Sequence, residues 1–118
     1  MYSNPSTRAV DYHYVTDAEG NPLPIEGMSG YGPPKIKKML RTSYNARAKE
    51  LGLKHRFKLS EEEKEILASE ILVKIRENAK RRNQKLPDTI RLIEVMVTLD
   101  EKGFVETPSL LAEHHRDR

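Results

Sequence analysis

The chain of 118 residues contains no cysteine and no tryptophan. Without cysteine it has no disulfide, no thiolate zinc site and no thiol nucleophile. No apolar run approaches the ~18 residues of a membrane-spanning helix, so we expect no membrane partner. The first eight residues lack the basic and apolar segments of a secretory signal. We therefore expect a cytoplasmic protein, of cellular or viral origin.

Apolar residues are also scarce, at 36% of the chain against 33% charged residues. A chain of this length forms one domain with its own core. Soluble domains average about 45–50% apolar on a similar residue set, so we expect part of the chain to lie outside the core.

Positive charge is concentrated in one block. Between Lys35 and Lys58 there are nine basic residues and one acid, Glu50, a net charge of +8 in a chain whose total is +3. Self-repulsion opposes compaction, so such a block does not serve stability. It indicates an anionic partner, or an acidic surface elsewhere on the chain.

Residues 1–33 are predicted to be an extended acidic arm. Proline and glycine exclude a long helix there. Tyr12 and Tyr14 alternate with His13 and Val15 at strand spacing, and turn residues follow at 17–21, which favours a β-hairpin with a return strand through Leu23 and Ile25.

Residues 34–118 are predicted to be a helical domain. Pro34 suits the first position of a helix that ends near Gly52. Ser60 and Glu63 form a capping box for a second helix, which ends at the basic run 80–82.

Two further helices are expected towards the C-terminus. The spacing of residues 86, 90, 93 and 97 favours a helix that stops at Gly103, although four β-branched residues leave a strand open. Thr107 and Pro108 are typical of the start of a short terminal helix. The predicted fold class is therefore mainly α: a small domain of three or four helices, with an irregular N-terminal arm that contains a possible hairpin.

The start of the first long helix is the strongest candidate site. Lys35, Lys37 and Lys38 oppose the helix dipole, which costs about 0.3–1 kcal/mol for each exposed cation. Lysines and free backbone N–H groups together suit a phosphate. The alternative is a solvated lysine face.

Two other clusters extend this surface. In the linker, cations alternate with His55 and Phe57 at residues 54–58. Phe57 and Leu59 are expected to pack into the core. A third basic cluster, residues 80–85, lies at the end of the second helix. An antiparallel pair of helices would bring this last cluster to the first. The predicted nucleic-acid contacts are Lys35, Lys37, Lys38, Arg41, Lys49, Lys54, Arg56, Lys80, Arg81 and Arg82. The acids Asp11, Asp17, Glu19 and Glu26 could instead cover this surface.

The sequence contains none of the spaced motifs by which common classes of enzyme are recognised. There is no phosphate-binding glycine loop, no nucleophile elbow and no metal-ligand spacing among the four histidines. We expect no enzymatic activity, no cofactor and no metal.

The composition thus predicts a non-enzymatic basic protein that binds DNA or RNA, or a ribonucleoprotein, through a cationic helical surface. The alternative is an assembly protein, either a homo-oligomer or a small subunit of a virion or polymerase. Ile66 and Val73, one heptad apart on the second helix, form a narrow apolar seam that could meet such a protein partner.

Overall fold

A computed structural model describes residues 8–116, with side chains from residue 12 onward. Its elements are listed here in chain order, with a short 3₁₀ turn at Arg56–Lys58: β1 (Arg8–Thr16), α1 (Ile25–Ser29), α2 (Pro33–Glu50), α3 (Glu61–Arg81), β2 (Thr89–Asp100) and β3 (Gly103–His115). The three strands form one antiparallel sheet in the order β1-β2-β3. The fold is α+β, so the mainly α prediction is wrong.

The two long helices begin where the sequence places them. Pro33 and Pro34 open α2, and the Ser60 side chain caps α3 by accepting the Glu63 N–H at 3.1 Å. The Glu63 carboxylate does not complete the capping box as expected, because both of its oxygens accept hydrogen bonds from Arg47 on α2. This ion pair joins the end of α2 to the start of α3, so the two helices run antiparallel.

The two C-terminal helices are instead strands β2 and β3. Gly103, with φ of 116°, makes the tight turn between them rather than ending a helix. Pro108 lies within β3, which is tolerated because β3 is an edge strand. The apolar spacing suggested a helix because β2 carries apolar residues on both of its faces. Its sequence therefore lacks the alternation of apolar and polar residues that usually identifies a strand.

The N-terminal hairpin also differs from the prediction. Turn 17–21 forms, but its return strand is reduced to a single bridge between Thr16 and Pro22, and α1 follows. The partner of β1 is β2, with Val15 opposite Leu92. Because Val15 and Ile25 are buried in the core, this segment, predicted to be an arm, is part of the domain.

The core lies between the helices and one face of the sheet. Ile36, Ile71 and Ile75 of the helices are almost fully buried against Ile90 and Leu92 of β2. α1 is fixed to α3 at Ser29, whose carbonyl accepts a hydrogen bond from Asn78.

The opposite face of the sheet has no helix on it within the part of the chain that the structure describes. We call it the open face; the strand alternation assigns to it Tyr12, Tyr14, Ile93, Val95, Val97, Leu99, Phe104, Pro108 and Leu110, of which Val95 is buried by its neighbours. An extra residue in β3, Leu111, shifts the register between Leu92 and Ile93 and turns Leu110 onto this face.

Candidate nucleic-acid interface

The start of α2 is not a vacant anion site. A Cβ built on Gly32, the residue that caps α2, would lie 2.7 Å from the carboxyl carbon of Glu26. The chain therefore places its own carboxylate where the N–H groups and the helix dipole favour an anion. A carboxylate so close to the helix start weakens the inference from the lysines of the first turn to an external phosphate.

The three lysines of that turn separate around the helix. Lys35 lies over the Tyr31 ring, with Nζ 4.6 Å from the ring centroid. Lys35 and Lys38 line a groove between α2 and α3, opposite Lys74, whereas Lys37 faces the sheet. The predicted single patch is thus divided between two sides of α2.

The other acids of the N-terminal segment do not all cover the basic block. The Asp17 carboxylate accepts hydrogen bonds from the backbone N–H of Glu19 and Asn21 and closes its own turn. These bonds hold the pKa of Asp17 below its usual value. Glu19 is exposed in that turn, and the side chain of Asp11 lies outside the described residues.

A cavity of about 450 Å³ lies between α2, residues 56–64 and the helix side of the sheet. Its charged walls consist of the four cations Lys37, Arg41, Arg56 and Lys64 and the two carboxylates Glu61 and Glu94. These six side chains carry a net charge of +2. We call this site the basic cavity. Lys37 and Arg41, four residues apart on α2, face it together because they lie on one side of the helix.

Buried polar groups form the wall of the basic cavity on the sheet side. The His13 side chain is only 3% exposed, and its Nε2 lies 3.1 Å from a carboxylate oxygen of Glu94, its cross-strand neighbour. His13 Nδ1 and the Tyr44 hydroxyl are buried and have no hydrogen-bond partner among the described residues. Burial raises the pKa of Tyr44, and the carboxylates of Glu94 and Glu61 raise it further. Both polar atoms are therefore closed off from the open part of the cavity.

An exposed aromatic ring stands at the mouth of the same cavity. Phe57 is 62% exposed, contrary to the expectation that it enters the core, while Leu59 is buried as expected. The Arg56 guanidinium carbon lies 4.6 Å from the centroid of the Phe57 ring. The 3₁₀ turn of residues 56–58 accounts for the difference, because it directs Leu59 inward and leaves Phe57 beside the cations.

The remaining predicted contacts fall into two groups. Lys49, Lys54 and Arg56 line a smaller depression next to the basic cavity, and Arg56 belongs to both. Lys80, Arg81 and Arg82 are exposed at the end of α3, where the Arg82 guanidinium lies against Gly30. The contact with Gly30 brings this group near the start of α2, and none of the three residues lines the basic cavity.

A second cavity, of about 640 Å³, is lined by Lys80, Val73 and Arg76 among others. Arg76 donates hydrogen bonds to the carbonyls of Pro87 and Asp88 and to His114 Nδ1, so it joins α3 to the sheet. Val73 is half-buried here, whereas Ile66 is 56% exposed.

Sequence reasoning assigned no role in a site to several polar residues of the basic cavity, among them His13, Tyr44, Glu61, Lys64 and Glu94. Lys64 follows three glutamates and was assigned no role, and Glu94 belongs to a segment predicted to be helical. Only the sheet register brings His13 and Glu94 together, and they are 81 residues apart in the chain.

Within residues 8–116, no cluster of three or more potential ligands could hold a metal ion. None of the described helices is long and apolar enough to cross a membrane. No protein-family model, curated protein or solved structure matches the chain.

Proposed function

We propose that this protein is a cytoplasmic, non-enzymatic protein that binds single-stranded nucleic acid at the basic cavity. The observation that carries the proposal is that four cations and an exposed phenyl ring line the same concave site. Cations contact phosphates and an aromatic ring stacks on a base, and these are the two elements of single-strand binding.

The position of Phe57 favours a single strand over a duplex. Its ring projects from a turn beside Arg56, and such a ring can stack only on a base that is not already stacked between neighbours. Lys49 and Lys54, in the depression next to Arg56, continue the cationic surface along which the phosphates would run. Lys35 and Lys38, on the other side of α2, are left out of this path.

The buried wall supports binding rather than catalysis. The imidazole of His13 is 3% exposed, and its Nδ1 is closed to solvent. A general base must come within hydrogen-bond distance of the proton that it removes. His13 therefore suits a structural pair with Glu94 better than proton transfer from a bound strand.

Fluorescence anisotropy with a labelled single-stranded oligonucleotide, and with a duplex of the same sequence, tests the proposal. We expect the single strand to bind more tightly, and Phe57→Ala to weaken it by roughly 5- to 100-fold, as expected for the loss of one stacked base. Leu51→Ala is the matched control, since Leu51 is exposed and apolar and lines neither the basic cavity nor the depression next to it. Absence of single-strand binding even at low salt would refute the function.

A further inference from the structure

The open face exposes large apolar side chains on the side of the sheet that carries no helix. Phe104 is 69% exposed, Leu110 56% and Leu99 52%, and all three lie on this side of the sheet. Monomeric proteins seldom leave a contiguous apolar patch of several hundred Å² uncovered. The molecule is also flat, 52 × 38 × 21 Å, which is the thickness of one helix layer on one sheet.

We propose that the open face binds the open face of a second copy of this chain, forming a two-fold dimer with the helices outside and two sheets packed inside. Facing sheets pack about 10 Å apart and interdigitate apolar side chains from their inner faces. The dimer would be a four-layer sandwich in which Val97, Leu99 and Phe104 become core residues.

The available area is sufficient for such a pair. Three strands about 4.8 Å apart and a length of some ten residues give each open face a projected area of roughly 500 Å². Two faces together therefore remove more than about 1,000 Å² from water, which is the size a specific interface needs.

The chemistry of the open face fits a protein better than a nucleic acid. Arg91 is the only arginine or lysine that the described side chains of the strands place there, and its Nε donates to Glu113 at 2.6 Å; the His115 ring on the same face contacts the same carboxylate at 3.0 Å. Glu106 adds a carboxylate, 3.4 Å from the hydroxyl of Tyr12. A surface without available cations would not attract phosphates. This proposal is therefore independent of the function assigned to the basic cavity.

Charge also selects the orientation of the two copies. The end of the sheet at the β2–β3 turn carries Asp100, Glu101 and Glu106 against Lys102, a net charge of −2. Packing this end on itself would bring like charges together. An antiparallel arrangement places it over the Arg91 end of the partner instead, and avoids that repulsion.

Sedimentation velocity of the full chain over a wide concentration range tests the proposal. We expect a reversible species of twice the chain mass, and at least a roughly 100-fold weaker association for Phe104→Glu, because a carboxylate would be buried without a partner. The matched control is Val105→Glu: Val105 is 41% exposed, but alternation puts it on the other side of the same strand. Circular dichroism establishes that both variants remain folded.

Ile66→Glu distinguishes the alternative interface on α3, since Ile66 is exposed and α3 packs on the side of the sheet opposite the open face. It should leave the dimer intact. A wild-type chain that stays monomeric at every concentration would overturn the proposal, and so would a dimer that Ile66→Glu disrupts or that Phe104→Glu leaves unchanged. Oligonucleotide binding by the same variants separates the two proposals, because a monomeric Phe104→Glu chain should still bind one strand.

Discussion

The basic cavity makes a quantitative prediction about salt. The double variant Lys37→Gln/Arg41→Gln removes two of its four cations without touching the buried core, since Lys37 is only half-buried and Arg41 is exposed. For single strands, the slope of log affinity against log salt is about −0.7 for each phosphate contact. The four cations of the basic cavity together contribute a slope of about −2.8, and the two that the variant keeps contribute about −1.4; contacts with Lys49 and Lys54 steepen both slopes equally. Through the cations of the basic cavity alone, a fourfold rise in salt should therefore weaken the wild type by about 50-fold and the variant by only about 7-fold.

The matched control is Lys35→Gln/Lys38→Gln, which removes the same charge from the same helix. These lysines lie on the other side of α2, so the control should keep the wild-type slope. Anisotropy titrations of one labelled oligonucleotide at several salt concentrations give the three slopes. Equal slopes for the two double variants would refute the reasoning, because they would show that the strand responds to the total charge of α2 rather than to the basic cavity.

Three further predictions concern the stability of the fold. Arg76→Met should lower the free energy of unfolding, measured by urea denaturation, by about 2–3 kcal/mol, because two backbone carbonyls lose a charged donor; no loss would contradict its role in joining α3 to the sheet. Gly30→Ala and Gly20→Ala should each cost about 1 kcal/mol or more, since both glycines have φ above 80°. The two losses of unfolding free energy should be similar. Arg82 lies against Gly30 and not against Gly20, but the flexible end of that side chain can move away from an added methyl group. A much larger loss at Gly30 would show that Arg82 is held rigidly. Asp17→Asn should reduce the free energy of unfolding at neutral pH but not in strong acid. Folding lowers the pKa of Asp17 below its ordinary value of 3.8. The contribution of the carboxylate to stability is therefore complete above pH 3.8 and disappears as the pH falls through the folded-state pKa. Thermal unfolding at a series of pH values measures this, and a constant difference between the two proteins at every pH would contradict it.

The helices were predictable because their signals are local. The prolines at 33 and 34 and the Ser60 cap act within one turn of the residues that they organise. The strands depend on partners far away in the chain. Residues Ile90, Ile93 and Val97 match a helical spacing by coincidence, since β2 is the central strand and holds apolar residues towards both sides. The Thr-Pro pair at residues 107–108 is compatible with an edge strand as well as with the start of a helix, so it does not distinguish the two.

The candidate site was only partly predictable for a related reason. Composition identified Lys37, Arg41 and Arg56 as cations available for an anionic ligand, but not the cavity that joins them. That cavity requires a sheet opposite α2, and the sheet was not foreseen. Glu26 illustrates the opposite case, in which the lysines at the start of α2 suggested a phosphate, while the folded chain supplies a carboxylate from six residues before the cap, Gly32. A helix start with misplaced cations therefore indicates an anion, which can come from the protein itself.

The pairing of β1 with β2 has a consequence for how the chain folds. Val15 lies opposite Leu92, so 76 residues separate the two members of that pair, whereas the β2–β3 pairs close around a single turn. Contacts of such long range slow folding, because the entropy of closing the loop is lost before the strands gain any contact. On the ribosome, β1 emerges well before its partner and must wait until both long helices and β2 have been synthesised. We therefore expect the docking of β1 on β2, rather than the local β2–β3 hairpin, to be the slower step in forming the sheet.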